Sequence, residues 1–203
     1  MPKIKLTKGE LKKQRDALKR YERYLPTLLL KKQQIQVEII KQLATIEERN
    51  KTLAVDMRSA LTWAGLLKEF DTSALIKLEE IRRETKNIAG VDIAIFRKAE
   101  FGEAEYDMFL APLWVDNAVN ALRAIIILRE DIKMTEKNIE ILRGELRITT
   151  QRVNLFEKVK IPEAVENIRR IRIYIGDQMA NAVGRSKIAK RKIEEMEGAG
   201  AAI

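Results

Sequence analysis

The sequence predicts an all-α fold: a long antiparallel two-helix coiled coil with a small head insert that holds a short helix and a β-hairpin. Three observations predict it. Apolar residues recur with a seven-residue period in the C-terminal half, and a stripe of four-three spacing runs through the N-terminal half. Between them lies a short stretch of β-branched and aromatic residues punctuated by glycine and proline. The expected boundaries are 1–70 for the first coiled-coil helix, 71–112 for the head and 113–203 for the second helix.

In the first helix the apolar stripe is Ile39, Leu43, Ile46, Asn50, Leu53, Met57, Ala60, Ala64 and Leu67. Asn50 is its one polar member, and a lone polar residue on such a seam fixes register at some cost in stability. Upstream the stripe changes phase through Leu11, Leu18, Tyr21, Leu25, Leu28 and Ile35. Pro26 coincides with that change; lacking an N–H, it predicts a kink or a fresh helix start.

In the head, Asp71-Thr72-Ser73 reads as a stop and restart, with Asp or Ser as an N-cap. A short helix is expected over Ala74–Lys86, then a strand over Asn87–Phe96, with a hairpin partner from Phe101-Gly102 and Tyr106–Leu110. Trp63 and Trp114 are expected as core anchors near this head, with Phe96, Phe101, Tyr106 and Phe109 packing it. Ala111-Pro112 ends the region and starts the next helix. Glu79, Glu80, Glu103 and Glu105 lack the ligand spacing of a hard-metal loop.

In the second helix one apolar series is Ile125, Ile132, Ile139, Leu146 and Val153; the other is Leu128, Thr135, Leu142, Thr149 and Phe156. Eight of these ten are apolar, where a 46% hydrophobic composition would give about half. The period specifies a left-handed coiled coil. Pro162 interrupts the helix after Val159-Lys160-Ile161. Neither half can bury its stripe alone, so folding back antiparallel buries both. A helix of about 60 residues is roughly 90 Å long. Such a rod would bring both termini to one end.

Composition narrows the function. Among 203 residues there is no cysteine and no histidine, and the serines are Ser59, Ser73 and Ser186. Disulfides, thiol nucleophiles, His/Cys zinc sites and acyl-transfer triads are excluded. No catalytic, cofactor-binding or metal-binding residue is expected. No apolar run is long enough to span a bilayer, so no direct membrane insertion is expected. The chain reads as cytoplasmic.

The net charge of +9 is uneven. Residues 1–50 carry 13 basic and 6 acidic side chains, residues 51–150 carry 15 and 17, and residues 151–203 carry 11 and 7. If the two basic ends meet, they form one basic tip facing an acidic or polar socket; otherwise they are a solvated surface. A basic coiled coil binding nucleic acid or anionic membrane is the alternative. The mixing of acids among the bases and the lack of interleaved aromatics argue against nucleic acid.

The segment Arg152-Val153-Asn154-Leu155-Phe156-Glu157, followed by Ile161-Pro162, resembles the D subunit of the V-type/A-type rotary ATPases. Tyr24-Leu25-Pro26-Thr27-Leu28-Leu29-Leu30-Lys31-Lys32 and Ser186-Lys187-Ile188-Ala189-Lys190-Arg191-Lys192 are similar to its first helix and its lysine-rich end. The chain departs from many members at Leu155-Phe156, where those have Ala-Leu. The resemblance implies a non-catalytic central-stalk rotor that couples a catalytic ring to an ion-translocating membrane rotor. Its implied partners are the A and B subunits of the ring, the small F subunit of the central stalk, and the funnel subunit on the membrane rotor ring. It would be peripheral to the membrane as part of that complex. Candidate ring contacts are Lys8, Lys12, Arg15, Lys19 and Arg23 on the first helix, with Arg185, Lys187, Lys190 and Arg191 on the second. Lys3, Lys5, Lys13, Arg20 and Lys192 flank them. The family motif is carried by Arg152, Val153, Asn154, Glu157 and Pro162, acting within the coiled coil or on a partner.

Overall fold

Thr7 starts the first helix. Its hydroxyl accepts the N–H of Glu10 at 3.3 Å and its carbonyl accepts the N–H of Leu11 at 3.0 Å, an N-cap with Glu10 three residues on. The computed structural model describes residues 4–68, 76–102, 112 and 114–200, apart from the side chains of 67–68 and 197–200. Helix α1 runs Lys8–Leu61 and ends in a 3-10 turn at Ala64–Lys68. Strands β1 (Leu78–Ile88) and β2 (Val91–Phe101) follow. Helix α2 is Trp114–Leu155, a π-helical turn occupies Phe156–Lys160, and helix α3 is Ile161–Gly200. Among the described residues no helix is long and apolar enough to cross a membrane. The chain divides into two compact units: Met1–Leu29 with Gln151–Ile203, and Leu30–Thr150.

Two corrections concern α1. Helix α1 runs unbroken through Pro26, so the proline does not start a fresh helix. The inward stripe also keeps one phase. Leu11, Gln14, Leu18, Tyr21, Leu25, Leu28, Lys32, Ile35, Ile39, Gln42, Ile46, Arg49, Leu53, Asp56 and Ala60 are all buried or half-buried, at alternating steps of three and four. Leu43, Asn50 and Met57 are exposed, one position off that stripe. The apparent phase change arose from following apolar residues where the inward positions are the polar Gln42, Arg49 and Asp56.

The head insert needs a larger correction. The segment expected as a helix is strand β1, and it pairs with β2, whose last residue Phe101 lies opposite Leu78; of the partner expected for residues 87–96, Tyr106–Leu110 lies outside the described residues. The residues expected to be one strand, 87–96, contain the turn. Ala89 (φ 52°) and Gly90 (φ 77°) are both left-handed, the geometry of a two-residue type I′ turn. The Asn87 carboxamide accepts the Gly90 N–H at 3.0 Å and donates to Asp92 at 2.6 Å across the turn. Register shifts at Leu78/Glu80 and Arg82/Arg83 break the ladder twice. Strand β1 is nearly all exposed and is held by cross-strand charge: Arg82 with Glu100 at 3.0 Å, and Arg97 with Glu84. The expected caps at Asp71–Ser73, and Tyr106, Phe109, Glu103 and Glu105, lie outside the described residues.

In the second unit β2 packs its alternate residues Val91 and Ile93 against Ile35 and Ile39 of α1 and Ile139 and Leu142 of α2. A second cluster joins Val115 and Val119 with Trp114 and Ile76. Phe96 is half-buried, as is Phe101, whose ring lies 5.4 Å from the Arg123 guanidinium; Trp63 is half-buried beside the 3-10 turn.

The seven-residue series of α2 is well placed. Ile132, Thr135, Ile139, Leu142, Thr149 and Val153 are buried, and Ile125, Leu128, Leu146 and Phe156 are half-buried. In the first unit the buried apolar positions of α3 are Ala164, Ile168 and Ile171, one residue beyond the extrapolated seven-residue positions, with the polar Asn167 buried beside Ile168. The π turn takes up that extra residue, with the Ile161 N–H donating to the Phe156 carbonyl. Pro162 follows at once. It has no N–H for the Lys158 carbonyl, so a wide turn there relieves the clash of a proline inside a helix.

Candidate functional site

Charge separates the units. Residues 1–29 and 151–203 together carry 20 basic and 10 acidic side chains, and residues 30–150 carry 19 and 20. The whole net charge therefore belongs to the unit that contains both ends of the chain. Lys8, Lys12, Arg15, Lys19, Arg23, Arg185, Lys187, Lys190 and Arg191 are all exposed, as are Lys5, Lys13, Arg20 and Lys192; Lys3 lies outside the described residues. Lys190 faces Glu194 at 3.6 Å and Arg191 faces Glu195 at 3.5 Å. Among the described residues no carboxylate lies within ion-pair distance of Lys8, Lys12, Arg15 or Lys19, whereas Arg169 and Arg170 both donate to Glu166, at 3.0 and 2.9 Å. Those two hydrogen bonds, that of Arg169 first, hold the Glu166 carboxyl below its ordinary range.

Of the motif residues only Val153 is buried, 2% exposed. Arg152, Asn154, Glu157 and Pro162 are all exposed around the π turn. Phe156 stacks its ring 5.3 Å from that of Tyr21. The motif thus combines one core anchor with a polar outer face.

The second unit contains a polar layer. Arg49 donates to Thr135 Oγ1 at 2.8 Å and pairs with Asp131 at 2.9 Å. Burial nevertheless pushes the Asp131 carboxyl above its ordinary value, outweighing the opposing pull of Arg49. Lys31 meets Glu145 at 2.7 Å. As the number rises from 31 to 49 on α1, its partner falls from 145 to 131 on α2, so these stretches run antiparallel. The buried Asn138 side chain clamps the hairpin. It donates to the Ala94 carbonyl at 2.6 Å and accepts the Ala94 N–H at 3.1 Å, acting as a short surrogate strand on the outer edge of β2. A polar residue among the apolar positions of α2 was the available signal for both features.

Comparison with known sequences bears on the whole chain. Residues 10–191 match the family of the ATP synthase D subunit. The chain belongs to the ATP synthase D-subunit family. It is 44% identical over 194 residues to the D subunit of a V-type ATP synthase from Borreliella burgdorferi, covering 95% of this chain and 96% of that one. The V-type ATP synthase D subunit of Chlamydia caviae is 33% identical over 196 residues, covering 95% and 94%. That of Chlamydia abortus is 32% identical over 196 residues, with the same coverage. The family match takes in the exposed cations Arg15–Arg23 and Arg185–Arg191, the polar layer, the hairpin and the motif at 152–162.

Proposed function

We propose that this chain is the central-stalk rotor of a V/A-type rotary ATPase, a non-catalytic component that transmits torque between the A/B catalytic ring and the ion-translocating membrane rotor. Family membership over residues 10–191 carries the reading. The antiparallel contacts between α1 and α2, and the seven-residue periodicity of both, support a long coiled-coil shaft. The unit that holds both basic ends enters the ring, with Lys8, Lys12, Arg15, Lys19, Arg23, Arg185, Lys187, Lys190 and Arg191 as contacts. Exposed pairs of this kind contribute about 0–1 kcal/mol each, which suits contacts that must break and reform during rotation. An asymmetric shaft touches each catalytic site of the ring unequally. Rotation then shifts their conformations in turn through differential contact free energy. The small F subunit and the funnel subunit bind elsewhere on the shaft, and the complex holds the chain at the membrane periphery.

The lack of native cysteine makes the test clean. One cysteine at Arg15 and one on the facing wall of the ring are joined by oxidation in the assembled complex. ATP hydrolysis is expected to stop and to return on reduction. Undiminished hydrolysis with the disulfide formed would exclude a rotor role.

A further inference from the structure

In the unit that holds both ends, a groove of about 1010 Å³ runs between residues 8–22 of α1 and 165–179 of α3. Leu11, Leu18, Val165, Ile168, Ile173 and Met179 line it. Ile168 is buried, but Val165, Ile173 and Met179 are 50%, 55% and 51% exposed. An antiparallel helix pair covers each apolar stripe from one side only, and here a second side stays open. The rim is cationic: Lys8, Lys12, Arg15 and Lys19 line one wall and Arg172 the other, none with a carboxylate partner among the described residues. Asp16 and Glu22 are the acidic groups of the lining beside α1.

We propose that this groove docks an acidic amphipathic helix of about four turns from a partner protein, which completes a local three-helix packing. Length argues for it: the 15 residues of each wall extend about 22 Å, the length of a helix of about 15 residues. Charge spacing argues for it too. Lys8, Lys12, Arg15 and Lys19 recur at steps of four, three and four, so they stand along one line on α1. A helix with Glu or Asp at the same steps beside a leucine stripe matches both rim and floor. An anionic lipid concentrates its charge at one end, whereas this rim is charged along its length. A second copy of the chain would bring a unit of the same positive sign. The proposal deepens the ring-contact reading and rests on it only for which protein supplies the helix.

The full chain is titrated with a labelled, helix-stabilised 15-residue peptide that has a leucine stripe flanked by glutamates, followed by fluorescence anisotropy. Saturable one-to-one binding is expected. The double substitution Lys12→Glu/Arg15→Glu should weaken it about tenfold. Lys158→Glu/Lys160→Glu, an equal charge change in the same unit but off the groove, should leave it unchanged. A peptide with the leucines replaced by glutamine should bind at least about tenfold more weakly. Circular dichroism checks that each variant keeps its helix content. The proposal is overturned by lack of saturation, by equal weakening from both charge reversals, or by indifference to the leucines. It is also overturned if phosphatidylglycerol vesicles, and not the peptide, bind in a manner sensitive to Lys12→Glu/Arg15→Glu. Failure of the peptide with ring assembly intact removes the groove proposal alone. Peptide binding by a chain that does not assemble with the ring removes the rotor reading alone.

Discussion

Asn138 offers a test in which one side-chain group decides the outcome. Its carboxamide makes two opposite bonds to the same residue, donating to the Ala94 carbonyl at 2.6 Å and accepting from the Ala94 N–H at 3.1 Å. Asn138→Asp keeps the shape and the acceptor but turns the donor into an anionic oxygen facing a carbonyl. Asn138 is 6% exposed, so water reaches it poorly, while Ala94 is half-buried and regains some hydration. A carbonyl stripped of its partner costs about 1–3 kcal/mol, and a poorly solvated charge beside it adds to that. The expected loss is about 2–4 kcal/mol at neutral pH in urea unfolding. Protonation restores the donor, so the folded state of the variant binds a proton more tightly than the unfolded chain. The penalty is then absent in acid and appears as pH rises through the unfolded value towards the raised folded one. Amide exchange separates the two bonds. Ala94 N–H should stay protected in Asn138→Asp, which still accepts it, and lose protection in Asn138→Ala. A neutral-pH stability equal to the parent, or a deficit that grows on acidification, would refute the surrogate-strand account.

Ala89 sits at φ 52°, where a β-carbon is crowded and asparagine is better tolerated. Ala89→Asn should therefore stabilise the second unit by about 0.5–1 kcal/mol, while Gly90→Ala should destabilise it by about 1 kcal/mol, both read from denaturant midpoints. Asp131 supplies a pH test. Burial raises its carboxyl above 3.8 despite Arg49, so ionising it costs more in the fold than in the unfolded chain. Its contribution is intact below the unfolded pKa and is lost as pH rises through the folded one. Asp131→Asn lacks that dependence. The stability difference should move in favour of the variant as pH rises through the ordinary carboxylate value towards the raised folded one; movement the other way would mean that the ion pair outweighs burial.

The long helices were readable because periodicity integrates over many residues. The series Ile125 to Val153 repeats often enough that the polar Thr135 and Thr149 do not disturb it. Strand β1 was not readable because its local composition favours a helix. Leu78-Glu79-Glu80-Ile81-Arg82-Arg83-Glu84 is rich in helix formers, and pairing with β2 overrides that preference. Ala89-Gly90 is a weaker turn signal than Asn-Gly, so the turn was absorbed into a strand. The groove between α1 and α3 was hidden for a different reason. Heptads specify which side of a helix faces inward, but not whether one partner or two will cover it.

The inward polar residues of α1 explain more than the exposed Asn50 does. An apolar seam alone tolerates sliding by one heptad, since every seventh residue is equivalent. Arg49 does not tolerate it. In the observed register its guanidinium reaches Asp131 and Thr135 together, a pair separated by one helical turn. A slide of seven residues would carry it toward Asn138, which is committed to the hairpin, or toward the apolar Leu128. Lys31 and Glu145 mark the same register further along the pair. Asp131 carries a burial cost that its partner does not fully offset, so the layer adds little stability at neutral pH. What it supplies is a single alignment, and the hairpin needs it. Asn138 lies one turn from Thr135, and a shifted α2 would present a different residue to the Ala94 edge. Polar groups that weaken the seam thereby fix where the hairpin sits on it.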